Sequence, residues 1–296
     1  MGRPALTRRL DVRINGRLAG DYRYSPSGGT AFAYDPGWLD WEHAFPISRQ
    51  LPLTGGSQTG AHVSAVFENL LPDNSALRRL IAERTEARSA RPHDLLAAIG
   101  RDCIGAMQFL PPGAEPGDPF RVEGEPQDAA AIADTIRTLA TSPLGMQEDE
   151  AFRISLAGAQ EKTALLWQDG GWFKPLGLTP TTHILKRRMG VISHGIDMTD
   201  SVENEWLCLQ LAAALGLPVN PARIETFEDQ TVLVVTRFDR TPRAGGGILR
   251  LPQEDFLQAL GLESGQKYQD HGGPSMQDGL RLLEGSSERA ADQRMF

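Results

Sequence analysis

The 296 residues predict an α+β chain, on three observations: alternation of apolar and polar side chains at the start, apolar residues at helical spacing from Ala65 onward, and a return to short strand-like runs after residue 150. With 40% hydrophobic residues, a chain of this length can bury a core in each of about two domains. Leu10, Val12 and Ile14 alternate with polar neighbours and run into Asn15-Gly16, a two-residue hairpin signal. The meander continues through residues 21–24, turns at Ser25-Pro26-Ser27-Gly28-Gly29 and returns along residues 30–34. Leu70, Leu71, Leu77, Leu80, Ile81, Leu95, Leu96 and Ile99 then recur at helical spacing. Residues 111–119 are dense in proline and glycine and predict a linker. The expected division is a first domain over 1–115, linker and helix over 116–145, and a second domain over 146–296.

An amphipathic helix is expected at residues 129–140. Beyond it, Phe152-Arg153-Ile154 and residues 163–167 read as a hairpin around a glycine-containing loop, with further strands at 172–173, 183–186, 223–227 and 232–236. Residues 202–215 read as one helix. Asp200 and Glu203 have capping-box spacing, Val202, Trp206, Leu209 and Ala213 form an apolar stripe, and Gly216 with Pro218 supplies the stop. No internal repeat is visible.

A formal charge of −8 argues against a chain that coats a nucleic-acid backbone, although Arg3, Arg8, Arg9 and Arg13 leave a local basic patch open. Cys103 and Cys208 stand far apart with no CxxC pattern, which excludes a disulfide framework and suits a reducing cytoplasm. The histidines show no metal-ligand spacing. The apolar runs are too short to cross a bilayer, so the expectation is a soluble cytoplasmic protein with no membrane partner.

The chemistry concentrates in the second half. In the run from Ser155 to Thr163, small residues let backbone amides approach an oxyanion, and phosphate is the natural guest. The run is not the eight-residue phosphate-loop motif, and alone it is equally an ordinary turn. Lys186 ends an apolar strand and Glu205 lies on the next helix. Alone, these are a snorkelling side chain and a helix-surface charge. Glycine loop, strand lysine and helix glutamate, in that order, make up the small lobe of a protein kinase. The strand ending at Thr236-Arg237-Phe238 can offer backbone groups to an adenine edge.

These features resemble the HipA toxins, serine/threonine kinases of bacterial type II toxin–antitoxin modules. The resemblance rests on Ser155-Leu-Ala-Gly-Ala-Gln-Glu-Lys-Thr-Ala-Leu, Leu178-Thr-Pro-Thr-Thr-His-Ile-Leu-Lys186, Asn204-Glu205, Arg237-Phe-Asp-Arg240, Arg250-Leu-Pro-Gln-Glu-Asp255, Lys267-Tyr268 and Gly272-Gly-Pro274. The first 110 residues, with Glu68-Asn-Leu-Leu-Pro-Asp73, resemble the family's N-terminal subdomain. The fold so implied is that β-rich and helical subdomain followed by a kinase-like small lobe.

By this resemblance Ala157, Gly158, Ala159, Gln160, Glu161 and Lys162 cover the ATP phosphates, and Lys186, partnered by Glu205, contacts them. Thr236, Arg237 and Phe238 form the adenine hinge, with Thr236 standing where the family more often has an acid. Ser155 is the autophosphorylated serine, where a dianion repels the nucleotide and ejects the loop. The implied cofactors are ATP and Mg2+. The implied partners are a HipB-like helix-turn-helix antitoxin, operator DNA through that antitoxin, and a protein substrate such as glutamate–tRNA ligase.

One departure is large. The family's Asp-x-His-x-Lys-Asn loop and its second, magnesium-binding aspartate are absent, and Asp270-His271 reads as a loop rather than their substitute. The expectation is therefore a C-terminally truncated chain with most of the helical large lobe absent, no catalytic residue or metal ligand, and no activity alone. The alternatives are a non-catalytic module that binds a HipB-like repressor, and a decayed product that folds poorly.

Overall fold

The computed structural model describes residues 7–146, 152–158, 160–192 and 195–296. Arg3 and Ala159, both singled out in the sequence, lie outside the described residues. The chain opens as an antiparallel meander of β1 (Arg8–Ile14), β2 (Arg17–Tyr24) and β3 (Thr30–Tyr34). Asn15 and Gly16 both take positive φ, 48° and 85°, the twist that a two-residue turn between right-twisted strands requires. A short α1 (Pro36–Leu39), an edge strand β4 (Ser57–Thr59), then α2 (Ala61–Glu68), α3 (Ser75–Arg84), α4 (Pro92–Ile99) and β5 (Met107–Leu110) complete this half. The sheet order is β4-β3-β2-β1-β5. Its inward side chains, among them Val12, Tyr22 and Phe32, are fully buried with Phe67, Leu95 and Leu96 of the helices. Asn74 caps α3 by accepting the amides of Ala76 and Leu77, and Pro92 starts α4 where a missing N–H costs nothing.

The proline-rich stretch after β5 forms no regular element until β6 (Gly124–Gln127), but it is packed down: a side chain at Gly16 would strike Pro119. After α5 (Ala129–Arg137) come β7 (Lys162–Gln168), β8 (Gly171–Pro175), β9 (His183–Arg187), the small hairpin β10 (Gly190–Ile192) and β11 (Ile196–Met198), α6 (Ser201–Ala214), β12 (Ala222–Phe227) and β13 (Gln230–Thr236). They form a six-stranded sheet in the order β12-β13-β9-β7-β8-β6, with the β10–β11 hairpin apart from it. α5 covers one face, burying Ile132, Ala133 and Ile136 with Leu165, Leu185, Val232 and Val234. α6 covers the other, with Val202 on Leu233 and Val235. The chain finishes with the ribbon β14 (Arg240–Pro242) and β15 (Ile248–Arg250), then α7 (Phe256–Leu260), α8 (Met276–Leu282) and α9 (Arg289–Met295).

Three local expectations are corrected. Phe152-Arg153-Ile154 forms no strand and no hairpin with β7, whose neighbours in the sheet are β8 and β9. The segment instead sends Phe152, Ile154 and Leu156 into the N-terminal core. Asp200 occupies the cap position of α6 but makes no side-chain cap bond, and Glu203 pairs with Arg188 rather than closing a capping box. Ala213 is exposed rather than part of the packed stripe, since only Val202, Trp206 and Leu209 of that set meet the sheet. α6 also turns Leu207, Leu211 and Leu215 outward, Leu215 being 80% exposed.

The two halves are fastened by ions. Asp102, just after α4, accepts from Arg240 Nη2 at 2.9 Å, from Arg250 Nη2 at 3.0 Å, and from the Thr181 amide and hydroxyl at 3.0 and 2.8 Å. Arg237 lies 3.5 Å from Asp102 and forks onto Asp239 at 3.0 and 2.6 Å, while Asp239 also accepts the Gly105 amide at 2.7 Å. None of these ionic side chains is more than 4% exposed. Burial opposes charge on Asp102, yet Arg240, Arg250, Arg237 and the Thr181 amide overcome it and hold its carboxyl well below the usual range. Asp239 is likewise lowered: burial opposes its charge and Arg237 and Arg240 outweigh it.

Removing one member strands the rest. Asp102→Asn takes from Arg250 its carboxylate partner and leaves Arg237 and Arg240 to share Asp239, and the expected loss is about 3–5 kcal/mol of stability in urea unfolding. An unchanged midpoint would count against the network as the fastening. Both aspartates titrate lower folded than unfolded, so their contribution is complete above about pH 4, the unfolded value, and is lost as pH falls through the folded values. Acid titration of the wild type followed by circular dichroism should show that loss, and Asp102→Asn should blunt it.

Candidate functional site

β7 and β9 pair so that Lys162 stands directly opposite Lys186. Leu233 of β13 is the next cross-strand neighbour of Lys186, on the face that α6 covers. From this position Lys186 Nζ reaches Glu205 Oε1 on the second turn of α6 at 2.5 Å, both side chains part-exposed. The strand and the helix thus bring together two residues 19 positions apart. A carboxylate here holds the ammonium extended along the sheet and leaves its other donors for an anion.

The loop before β7 is built around the second lysine. Lys162 Nζ donates to the Ala157 carbonyl at 2.8 Å, closing residues 157–162 into a turn. Gly158 has φ +98°, which favours glycine on conformational grounds, and a Cβ there would sit 2.7 Å from Lys162 Nζ and push that ammonium aside. Burial, then the nearby charge of Lys186, pulls Lys162 down to about 8. Gln160 donates to the Arg187 carbonyl and Glu161 pairs with Arg187, so both side chains brace the turn against β9. A positive-φ glycine turn beside two lysines is a donor set that fits polyphosphate.

Ser155 precedes this turn and is completely buried, its hydroxyl donating to the Leu70 carbonyl at 2.7 Å and its amide to the Asp102 carbonyl at 3.0 Å. At the other end of the sheet, Thr236 N–H donates to Pro221 O and Arg237 N–H to Thr182 O. Arg237 sends its side chain into the buried ionic network, whereas Phe238 is 58% exposed. Of Thr236, Arg237 and Phe238, Arg237 is buried, Thr236 is half-buried and Phe238 is exposed.

Sequence reasoning assigned no role to Asp73 and Lys267, which meet at 2.8 Å. Glu68, Asn69 and Asp73 all bind the segment around α7: Glu68 accepts the Ser264 amide and hydroxyl, and Asn69 donates to Leu262 O. No signal short of pairing these two motifs could have found the contact, because 194 positions separate its members. Asp102 was not singled out, and Arg240 and Arg250, quoted only within motifs, were given no role, for the same reason. Among the described residues no group of three His, Cys, Asp or Glu could hold a metal ion, and no helix is long and apolar enough to cross a membrane.

Comparison with known proteins gives one answer. Residues 10–110 match the HipA N-terminal domain and residues 154–296 the HipA-like C-terminal domain. Over 285 residues the chain is 36% identical to a protein of Sinorhizobium fredii named as a kinase, covering 95% of this chain and 66% of that one. It is 30% identical over 268 residues to the serine/threonine-protein kinase toxin HipA of Shewanella oneidensis, covering 90% of this chain and 58% of the toxin. The solved complex of HipA, HipB and operator DNA from Shewanella oneidensis matches with a TM-score of 0.76 and 26% identity, over 97% of this chain and 66% of that one. The chain therefore spans 58% to 66% of the length of these relatives.

The depressed lysine gives the site a pH signature. Lys162 is charged below about pH 8 and neutral above it, and phosphate pairs only with the charged form. Affinity for ATP, read by calorimetry, should fall as pH rises from about 7 to about 9, and Lys162→Met should bind weakly with a flatter profile. A profile unchanged by that substitution would remove Lys162 from the site.

Proposed function

The chain belongs to the HipA family, and from that premise we propose that its 296 residues carry the nucleotide-gripping part of an ATP-dependent serine/threonine kinase toxin. The contact that supports this reading best is the Lys186–Glu205 ion pair at 2.5 Å, set beside the positive-φ turn of residues 157–162. In this reading the turn covers the ATP phosphates and Lys186 bridges them. Glu205 keeps that lysine in place, and the adenine lies toward Phe238. Magnesium, carried in by the nucleotide, would neutralise phosphate charge there, since among the described residues no group of three His, Cys, Asp or Glu would hold it. The protein substrate is a translation enzyme such as glutamate–tRNA ligase, and the chain acts in the cytoplasm.

Phosphoryl transfer also needs a carboxylate that orients the attacking hydroxyl, because positioning and charge neutralisation supply most of the barrier reduction. The sequence contains no Asp-x-His-x-Lys-Asn run, so these residues alone bind nucleotide without turning it over. Ser155 is the regulatory site in this reading. Its burial under Leu70 means that the loop must leave before the hydroxyl can accept phosphate.

A second role concerns the partner. One structural relative was solved with HipB and operator DNA, which favours docking of this chain on a HipB-like helix-turn-helix repressor. Co-expression with such a repressor and joint elution on size exclusion is the expected result, and elution apart would remove this role.

Two measurements test the nucleotide reading. Lys186→Ala should weaken ATP by about tenfold or more in calorimetry, and Ser155→Asp should weaken it as well through charge repulsion. Equal affinity of wild type and Lys186→Ala would refute the site. Radiolabelled ATP should give no phosphoprotein with this chain, and measurable autophosphorylation would overturn the account of the missing carboxylate.

A further inference from the structure

We propose that Lys267 is a third phosphate-binding lysine of the cleft, held in place by Asp73, so that the N-terminal half of the chain takes part in nucleotide recognition. This rests on the nucleotide reading above and names a residue that the reading does not use.

Three segments each carry a lysine, and the segment of Lys267 and the one leading to Lys162 are both bonded to the stretch from Glu68 to Asp73. Lys162 and Lys186 are cross-strand partners on β7 and β9, and Lys267 follows α7 on the stretch that returns to the N-terminal half. Two of the three are held by carboxylates, Lys186 by Glu205 and Lys267 by Asp73 at 2.8 Å. Among the described residues Lys162 hydrogen-bonds the Ala157 carbonyl. Burial and the charges of Lys186 and Lys267 disfavour its protonated form, while the carboxylates of Asp73 and Glu205 favour it. Asp255 lies near enough to influence Lys267, but its carboxylate accepts the Gln258 amide and caps α7. Triphosphate carries several negative charges, and an ammonium cluster of this kind gains most from it.

The position of Asp73 gives the cluster its second support. Three residues earlier, the Leu70 carbonyl holds Ser155, two residues before the turn begins. Glu68 fixes Ser264, three residues before Lys267. The stretch from Glu68 to Asp73 thus grips the start of the phosphate turn and the Lys267 segment together. Lys267 itself is 44% exposed in its side chain, so its ammonium can swing toward a ligand without disturbing the core.

Calorimetry of the full 296-residue chain with ATP, ADP and adenosine tests this. Lys267→Ala should weaken ATP by about tenfold, ADP by less, and adenosine not at all, while Lys267→Arg restores most of the ATP affinity. Asp73→Asn should weaken ATP by about threefold, because the charge remains but its orientation is lost. Equal loss for ATP and adenosine would reduce Lys267 to a structural role and overturn the proposal, as would unchanged ATP affinity in Lys267→Ala. Tighter ATP binding in Asp73→Asn would overturn the positioning role of Asp73. Wild-type protein that binds no ATP would instead sink the nucleotide reading, and this inference with it.

Discussion

Asp102 is the constraint on which the remaining geometry depends. One carboxylate gathers Arg240, Arg250 and the Thr181 amide, with Arg237 at the margin, and every one of these comes from the other half of the chain. Desolvating such ions costs about as much as their attraction returns, so the network is a weak source of net stability. Its effect is to make misplacement expensive: an arrangement that separates Asp102 from the arginines leaves unpaired charge in a dry interior. The exit of β13, where Arg237 and Asp239 lie, is thereby fixed against the end of α4, where Asp102 begins.

From that anchor the cleft is set by sheet register. With β13 held at its exit, its pairing with β9 places Lys186 opposite Leu233, and the packing of α6 on Leu233 and Val235 brings Glu205 to the lysine. The ion pair is part-exposed and contributes little stability, a feature suited to a lysine that must exchange partners. Arg237 then has two separable parts. Its backbone belongs to the sheet and its side chain to the anchor, which leaves Phe238 exposed beyond them.

How much of this was legible depends on how far apart the cooperating residues lie in sequence. The Asn15-Gly16 turn, the helix stop at Gly216 and the strands around Lys186 and Val234 follow from neighbours within a few positions, and local chemistry decides them. The capping box at Asp200 had the right spacing, but Glu203 found Arg188, a partner outside the helix. Phe152 and Ile154 have strand-like alternation, but both side chains are drawn into the N-terminal core instead. The pairing of Lys186 with Glu205 was readable because their order along the chain is itself a signal. Asp102 and the Asp73–Lys267 pair were not, because each contact closes a loop of more than 75 residues and leaves no local trace.

The buried stretch ahead of the phosphate turn divides fixed backbone from movable backbone. Ile154 and Leu156 are each 1% exposed, and exposing either costs about 1.5–3 kcal/mol. Ser155 adds its bond to Leu70 O, worth about 0.5–1.5 kcal/mol. Together these hold residues 154–156 by several kcal/mol, whereas Ala157 and Gly158 are only half-buried and are tied by the Lys162–Ala157 bond, with Gln160 and Glu161 held separately to Arg187. A ligand that recruits Lys162 can therefore release Ala157 and Gly158 while the segment before them stays docked. Displacement reaching back to Ser155 must first break the docking of that segment on the N-terminal core, so the state of that core governs how far the loop can open.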